Sequence, residues 1–150
     1  MKQVNRIAEG RLIDRDVPIT FTFNGRTLQG FRGDTLASAL LANGVKIVGR
    51  SFKYGRPRGI IAAGVEEPNA ILQVGATPST QVPNVRATEQ ALCEGLVCRT
   101  TNGWPSLEWD AMAMVGKLAG KMMPPGFYYK TMMYSQPVWH AAERVIRKMA

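Results

Sequence analysis

Apolar and polar side chains alternate from Ile19 to Asn24: Ile19, Phe21 and Phe23 take every second position, between Thr20, Thr22 and Asn24. A period of two predicts a strand with one buried face. Asn24-Gly25 follows, and this pair predicts a type I′ hairpin turn, because both central residues of that turn need positive φ. Arg26 to Phe31 reads as the returning strand, with Leu28 inward and Phe31 a second candidate for the same face. Gly33-Asp34-Thr35 then switches the period. Leu36, Ala37, Leu40 and Leu41 form the apolar stripe of a short helix, capped by Asp34 or Thr35 and stopped by Asn43-Gly44. A hairpin followed directly by an amphipathic helix is how a β-grasp fold begins. The residues before it, 1–15, are polar and without period, and read as an extended arm.

Beyond Gly44 the pattern is broken by glycine and proline. Lys46-Ile47-Val48 suggests a short strand, and Gly49, Gly55, Pro57, Gly59 and Gly64 punctuate a long loop region. Ala70 to Val74, Val85 to Thr88 and Leu96 to Arg99 read as further strands, closing the grasp near residue 100. The chain then changes character. Trp104-Pro105-Ser106 suggests a helix start with Ser106 as cap, and Leu107, Ala111, Met114, Val115 and Leu118 share one face. A second helix is expected from Ser135, with Val138, Ala142, Val145 and Met149 along one side. Six of the eight methionines fall between Met112 and Met133, as expected for an irregular core or a partner interface.

Composition narrows the classes. A hydrophobic content of 45% is that of a globular chain. No stretch has the roughly 18 consecutive apolar residues of a membrane helix, and the first residues lack the apolar run of a secretory leader, so the cytoplasm is the expected compartment. The net charge of +8 raises nucleic-acid binding, but the basic residues are spread along the chain apart from one cluster between Arg50 and Arg58. A basic surface facing an acidic partner or an anionic cofactor is the better reading. Cys93 and Cys98 are the only cysteines, and the single histidine, His140, is far from them. Both thiols are expected to be reduced and largely buried, without a metal. Adjacent carboxylates such as Glu66 and Glu67 seldom converge on one reacting atom and read as loop structure. His140 lacks a neighbouring nucleophile signature. No catalytic and no metal-ligating residue is expected.

Two runs carry a resemblance. Gly33-Asp34-Thr35-Leu36-Ala37-Ser38-Ala39-Leu40-Leu41-Ala42-Asn43-Gly44 is similar to the helix signature of small ferredoxin-type domains attached to amine- and amino-acid-oxidising flavoenzymes. The runs Gly49 to Gly59 and Gly64 to Ala70 resemble the alpha subunit of heterotetrameric sarcosine oxidase, and the likeness extends over about Asn5 to Asn102. The fold this implies is α+β: a β-grasp domain of the 2Fe-2S ferredoxin type at 16–102, preceded by the arm at 1–15 and followed by a helical extension at 103–150. Cluster-bearing relatives hold iron with a Cys-x-x-Gly-x-Cys-x-x-Cys loop and a fourth cysteine downstream. With Gly64 as the glycine, those positions are Ile61, Glu66 and Asn69, and the fourth falls near Ala87. None supplies a thiolate, so the scaffold is expected without the cluster.

The resemblance further implies a part in oxidative demethylation of sarcosine to glycine. Peroxide is formed and a one-carbon unit passes to tetrahydrofolate in a complex that uses FAD, FMN and NAD. This chain is expected to bind none of these alone, to show no turnover alone, and to contact a flavoprotein beta subunit and dinucleotide- and folate-binding domains. It lacks the Gly-x-Gly-x-x-Gly fingerprint of dinucleotide binding. Whether it is a fragment, a separately encoded piece or a small subunit stays open. The candidate cofactor contacts are Arg50, Ser51, Lys53, Tyr54, Arg56 and Arg58, because guanidinium planes and Gly-rich backbone suit phosphate groups. The alternative for this loop is a solvated or subunit-facing surface. Two other functions compete: an electron-transfer or small subunit of a related amino-acid, opine or proline dehydrogenase, which the missing cysteines oppose, and a basic nucleic-acid-binding protein.

Overall fold

The computed structural model describes residues 3–7, 12–51, 55–111, 114, 140, 143 and 144. Among the described residues, the elements run in the order β1 (Asp14–Phe23), β2 (Arg26–Arg32), α1 (Leu36–Ala42), β3 (Gly49–Arg50), β4 (Pro57–Arg58), β5 (Ile71–Val74), β6 (Val82–Arg86) and β7 (Leu96–Thr100). Five strands form one mixed sheet in the order β2-β1-β7-β5-β6, and β3-β4 is a separate two-stranded ribbon. The sheet is antiparallel except at its centre, where β7 runs parallel to β1 with Phe21 opposite Leu96 and Phe23 opposite Cys98. A first hairpin, a crossing helix and a last strand inserted parallel to the first make the β-grasp.

The hairpin forms as its pattern dictates. Phe21 faces Leu28 and Phe23 faces Arg26 across β1 and β2, and Asn24 and Gly25 close the turn at φ 48° and 77°. Strand β1 starts five residues earlier than its alternation suggests. It reaches Asp14 through an irregularity between Asp14 and Pro18, and pairing with Arg32 rather than burial holds its first residues. Phe31 does not join the inward face. Leu28 and Gly30 do, and Phe31 is half-buried beneath the Arg6 guanidinium, 5.1 Å from its ring centroid. Gly30 has a packing role, since a Cβ there would lie 2.3 Å from Leu92 Cδ2.

Helix α1 is capped by Thr35. Its hydroxyl accepts from the Ser38 amide at 3.2 Å, and Ser38 Oγ accepts from the Thr35 amide at 3.0 Å, a capping box with serine in place of the usual Glu. Asn43 ends the helix and Gly44 turns the chain at φ 79°. Leu36, Ala37, Ala39 and Leu40 are buried against Ile19, Phe21, Phe23, Leu28, Val48, Leu72, Ala87, Leu92 and Cys98. Leu41 is a correction to the expected stripe: it is 40% exposed, and Ala39 takes the buried place. The helical stripe is narrower than its leucines suggest because α1 lies on a sheet, and Ala39 lets it approach.

Three other expectations shift. Lys46 to Val48 forms no strand; the first pairing here is the β3-β4 ribbon, with Gly49 opposite Arg58 and Arg50 opposite Pro57. The sixth strand spans Val82–Arg86 rather than running to Thr88, since the chain turns there with the Glu89 and Gln90 amides bonded to Arg86 O. Residues 106–109 bend instead of starting a helix: Trp109 N donates to Ser106 Oγ at 3.0 Å and Ala111 N to Trp104 O at 2.7 Å. Ala111 and Met114 are helical, whereas Leu107 is buried at the edge of the grasp core. The rest of that helix, the methionine-rich stretch that follows it and the start of the last helix at Ser135 lie outside the described residues. His140 is described there, exposed, with Nδ1 3.7 Å from Glu143.

Candidate functional site

The site is built from the β3-β4 ribbon and the loop that follows it, 59–70. Arg50 is the ribbon's anchor. Its Nε donates to Leu107 O at 2.5 Å, one terminal nitrogen to Gly55 O at 2.7 Å and the other to Glu108 O at 3.1 Å. The guanidinium fork thus ties the ribbon to the 107–108 turn. Asn102 reinforces the tie, accepting from Arg50 N and donating to Arg50 O, each at 2.8 Å. Ser51 and Arg56 close the ribbon: Ser51 N donates to Arg56 O, and Arg56 N to Ser51 Oγ, each at 2.9 Å. Arg58 is exposed and donates to Asn69 Oδ1 at 3.0 Å. Lys53 and Tyr54, the two remaining candidates, lie outside the described residues, as does Phe52. The structure thus brings Arg50, Ser51, Arg56 and Arg58 onto one ribbon, Arg50 turned to carbonyls and Arg58 toward the neighbouring loop.

That loop is organised around Glu67, which is fully buried. One carboxylate oxygen accepts from Ile61 N at 2.7 Å and Ala62 N at 2.6 Å, and the other from Asn69 N at 2.7 Å and Ala70 N at 3.1 Å. Around it, Glu67 N donates to Gly64 O at 3.1 Å, Arg86 Nε to Glu67 O at 3.2 Å and Thr88 Oγ1 to Gly64 O at 2.8 Å. Asn69 Nδ2 donates to Gly59 O at 3.0 Å, linking the loop back to the ribbon. Burial opposes the charge on Glu67, but the four amides outweigh it and hold the carboxyl below its usual range. Glu66 points outward, and hydrogen bonds to its own amide and that of Gly64 also lower its carboxyl. Glu67 thus joins the two ends of the loop, while Glu66 bonds its middle.

The sign of the resulting pH dependence follows from linkage. A carboxyl lowered by folding contributes stability above its unfolded pKa, and that contribution is lost as pH falls through the lower folded value. The stability difference between the natural chain and Glu67→Gln is therefore expected to be largest near neutral pH and to close on acidification below the ordinary carboxyl range. Urea denaturation across that range measures it, and a pH-independent difference would contradict the assignment.

The thiols differ from expectation. Cys98 is buried on β7 with its Sγ donating to Thr22 O at 3.2 Å, and burial pushes the thiol up to about 12. Cys93 is exposed in the turn before β7, a correction to the reading of two buried thiols. Its position just beyond Leu92, the last apolar anchor before the turn, leaves it outside the core. No group of three or more His, Cys, Asp or Glu side chains among the described residues has the geometry of a metal site. Among the described residues, no helix is long and apolar enough to cross a membrane.

A mixed sheet of this order, with one capped helix across it and a glycine-rich loop after a small ribbon, defines a ferredoxin-type β-grasp domain. The chain belongs to the family of 2Fe-2S iron-sulfur cluster binding domains, which matches residues 16–103. It is 54% identical over 146 residues to sarcosine oxidase subunit alpha of Rhizobium meliloti (strain 1021), a match covering 97% of this chain and 15% of that relative. The corresponding subunit of Corynebacterium sp. (strain U-96) is 45% identical over 96 residues, 63% of this chain and 10% of the relative. The chain therefore spans a small part of the length of these relatives. Among solved structures, L-proline dehydrogenase from P. horikoshii matches 62% of this chain and 17% of its own, with a TM-score of 0.44 and 23% identity.

The residues present do not fit the cluster that names the family. With Gly64 at the glycine of the cluster loop, the ligand positions fall at Ile61, Glu66 and Asn69 and the fourth near Ala87, and none of these is a cysteine. Ala87 is adjacent to the loop in space, its amide donating to Ala70 O at 2.9 Å, whereas Ile61 and Glu66 are exposed. Cys98 is committed to the core, and Cys93 lies in the turn before β7, outside the loop.

Proposed function

We propose that this chain is a cluster-free β-grasp part of a sarcosine oxidase-type flavoenzyme, supplying fold and subunit contact to a complex whose chemistry lies elsewhere. The observation that carries the reading is 54% identity over 97% of this chain to a sarcosine oxidase alpha subunit. In that complex sarcosine is oxidised to glycine at FAD and FMN, with peroxide as product, tetrahydrofolate as one-carbon acceptor and NAD as a further bound dinucleotide. The partners are a flavoprotein beta subunit and dinucleotide- and folate-binding domains, in the cytoplasm. In this reading 16–102 is the grasp and 103–150 an extension that follows it.

The exposed guanidinium of Arg58 and the ribbon position of Arg56 support a second element of the proposal: these two, with the candidates Ser51, Lys53 and Tyr54, meet an anionic group of a cofactor or of a neighbouring subunit, while Arg50 anchors the ribbon. One experiment addresses both points. The chain alone is expected to show neither stoichiometric iron and sulfide nor sarcosine-dependent peroxide formation. Assembled with the companion subunits it should oxidise sarcosine. Arg56→Ala/Arg58→Ala should lower flavin content, or the yield of assembled complex, several-fold. Iron and sulfide at one cluster per chain would refute the cluster-free reading, and unchanged assembly and turnover in the double variant would remove the role of the ribbon.

A further inference from the structure

Backbone amides that point into a loop without an acceptor are costly, so a loop shaped to bind an anion needs one. Iron–sulfur loops are built in this way, with N–H groups aimed at sulfur, and losing the cluster would orphan those donors. In this chain the donors are not orphaned. The Ile61 and Asn69 amides belong to two of the positions where cluster cysteines would stand, and Ala62 and Ala70 are their immediate successors. All four donate to the same carboxylate, which uses both oxygens twice and is excluded from solvent. A carboxylate offers about four lone-pair sites, and each is taken.

We infer that the Glu67 side chain occupies the place of the iron–sulfur cluster, so that an anion supplied by the chain itself holds the 60–70 loop in its cluster-binding shape. The inference rests on the cluster-free reading above and deepens it by naming what replaced the metal. It explains why the acidic residue sits one position after a ligand position: from Glu66 a side chain leaves the loop toward Gly64 and solvent, whereas from Glu67 it turns inward. It also explains how the neighbours stay in place. Thr88 and Arg86, from the turn after β6 and the end of β6, hold the carbonyls of Gly64 and Glu67, so the loop's amides remain directed at the centre. The charge is retained and the redox centre is not, which leaves a loop that can be recognised by a partner but cannot relay an electron through iron.

The assignment makes an asymmetric prediction. In Glu67→Gln one oxygen remains an acceptor and the other becomes an amide donor, so only one pair of backbone donors can be served. Amide hydrogen exchange in the full chain should show all of Ile61, Ala62, Asn69 and Ala70 protected in the natural protein. In Glu67→Gln one pair, either 61/62 or 69/70, should lose protection by about tenfold or more. In Glu67→Ala the emptied cradle should take up a small carboxylate. Sodium formate should raise Tm by about 3 °C beyond sodium chloride at equal ionic strength, and leave the natural protein without a formate-specific shift.

If Glu67→Ala does not fold, the exchange pattern of Glu67→Gln decides alone. Unaltered protection of all four amides in Glu67→Gln would overturn the assignment, as would an equal formate shift in Glu67→Ala and the natural protein. Neither result would touch the cluster-free reading, which the iron and sulfide content of the natural chain tests separately.

Discussion

Asp34→Ala is expected to lower the stability of the folded chain by about 3 kcal/mol and its Tm by about 10 °C. The side chain of Asp34 is wholly buried and that of Arg6 only 11% exposed, with Nη2 and Oδ2 2.6 Å apart. The second arm of the fork, Arg6 Nη1 to Oδ1, is 3.2 Å, so the pair is bidentate. The carboxylate also accepts from Phe31 N at 2.9 Å and Ser38 Oγ at 2.6 Å. It therefore joins three parts of the chain: the arm, the end of β2 and the capping serine of α1. Removing it strands the Phe31 amide and leaves the Arg6 guanidinium with Gln3 and the Phe31 ring.

The loss lies toward the lower end of what breaking a buried pair costs, because the arm can swing Arg6 into water. Arg6→Ala should be milder, at about 1–2 kcal/mol, since the carboxylate keeps its other two donors. Guanidinium denaturation of the two single variants and the double variant measures both terms and their coupling. A change of less than about 0.5 kcal/mol in Asp34→Ala would show that the pair does not hold the arm.

Phe21→Ala is expected to be worse, at about 3–5 kcal/mol, a large share of the stability of a domain this size. Phe21 is 1% exposed. It sits on the interior strand β1, opposite Leu28 on β2 and Leu96 on the parallel strand β7. A cavity there cannot be closed from one side, because the sheet fixes its floor and α1, with Leu36 and Leu40 both fully buried, fixes its roof. Leu41→Ala is the control. At 40% exposure on the outer side of α1, it should stay within about 0.5 kcal/mol of the natural protein. The two denaturation midpoints separate the buried face of the grasp from the surface. A loss below about 1.5 kcal/mol for Phe21→Ala would mean that the core does not close around β1.

The contrast between Leu36 and Leu41 shows what a pattern of apolar residues can and cannot convey. Helical period picks out a stripe, but its width depends on what the helix meets, and here a sheet with Gly30 at its edge draws Ala39 inward and leaves Leu41 outside. The β3-β4 ribbon was hidden for a related reason. Each of its strands spans only two residues, too few to show alternation, and its anchor is Arg50 reaching Leu107 O and Glu108 O more than fifty residues away. Clustered cations were visible in that stretch, but not that Arg50 is turned to carbonyls. Cys93 shows the limit for single residues: nothing in its type separates it from the buried Cys98.

The first hairpin and its turn, the capped helix, the β-grasp class and the absence of thiolates at Ile61, Glu66, Asn69 and near Ala87 are legible in the residues alone. These rest on local period, on backbone conformations that only certain residues adopt, and on chemistry that a missing sulfur settles. Tertiary structure alone decided that β7 enters parallel to β1, that Arg6 returns to Asp34, and that Glu67 rather than Glu66 turns into the loop. Each of these joins groups brought together by the fold rather than by neighbouring positions, or depends on the direction in which a loop carries its amides. For Glu67 the physical reason is convergence: four backbone donors aimed at one buried point require an anion there, and the fold selects the carboxylate that can reach it.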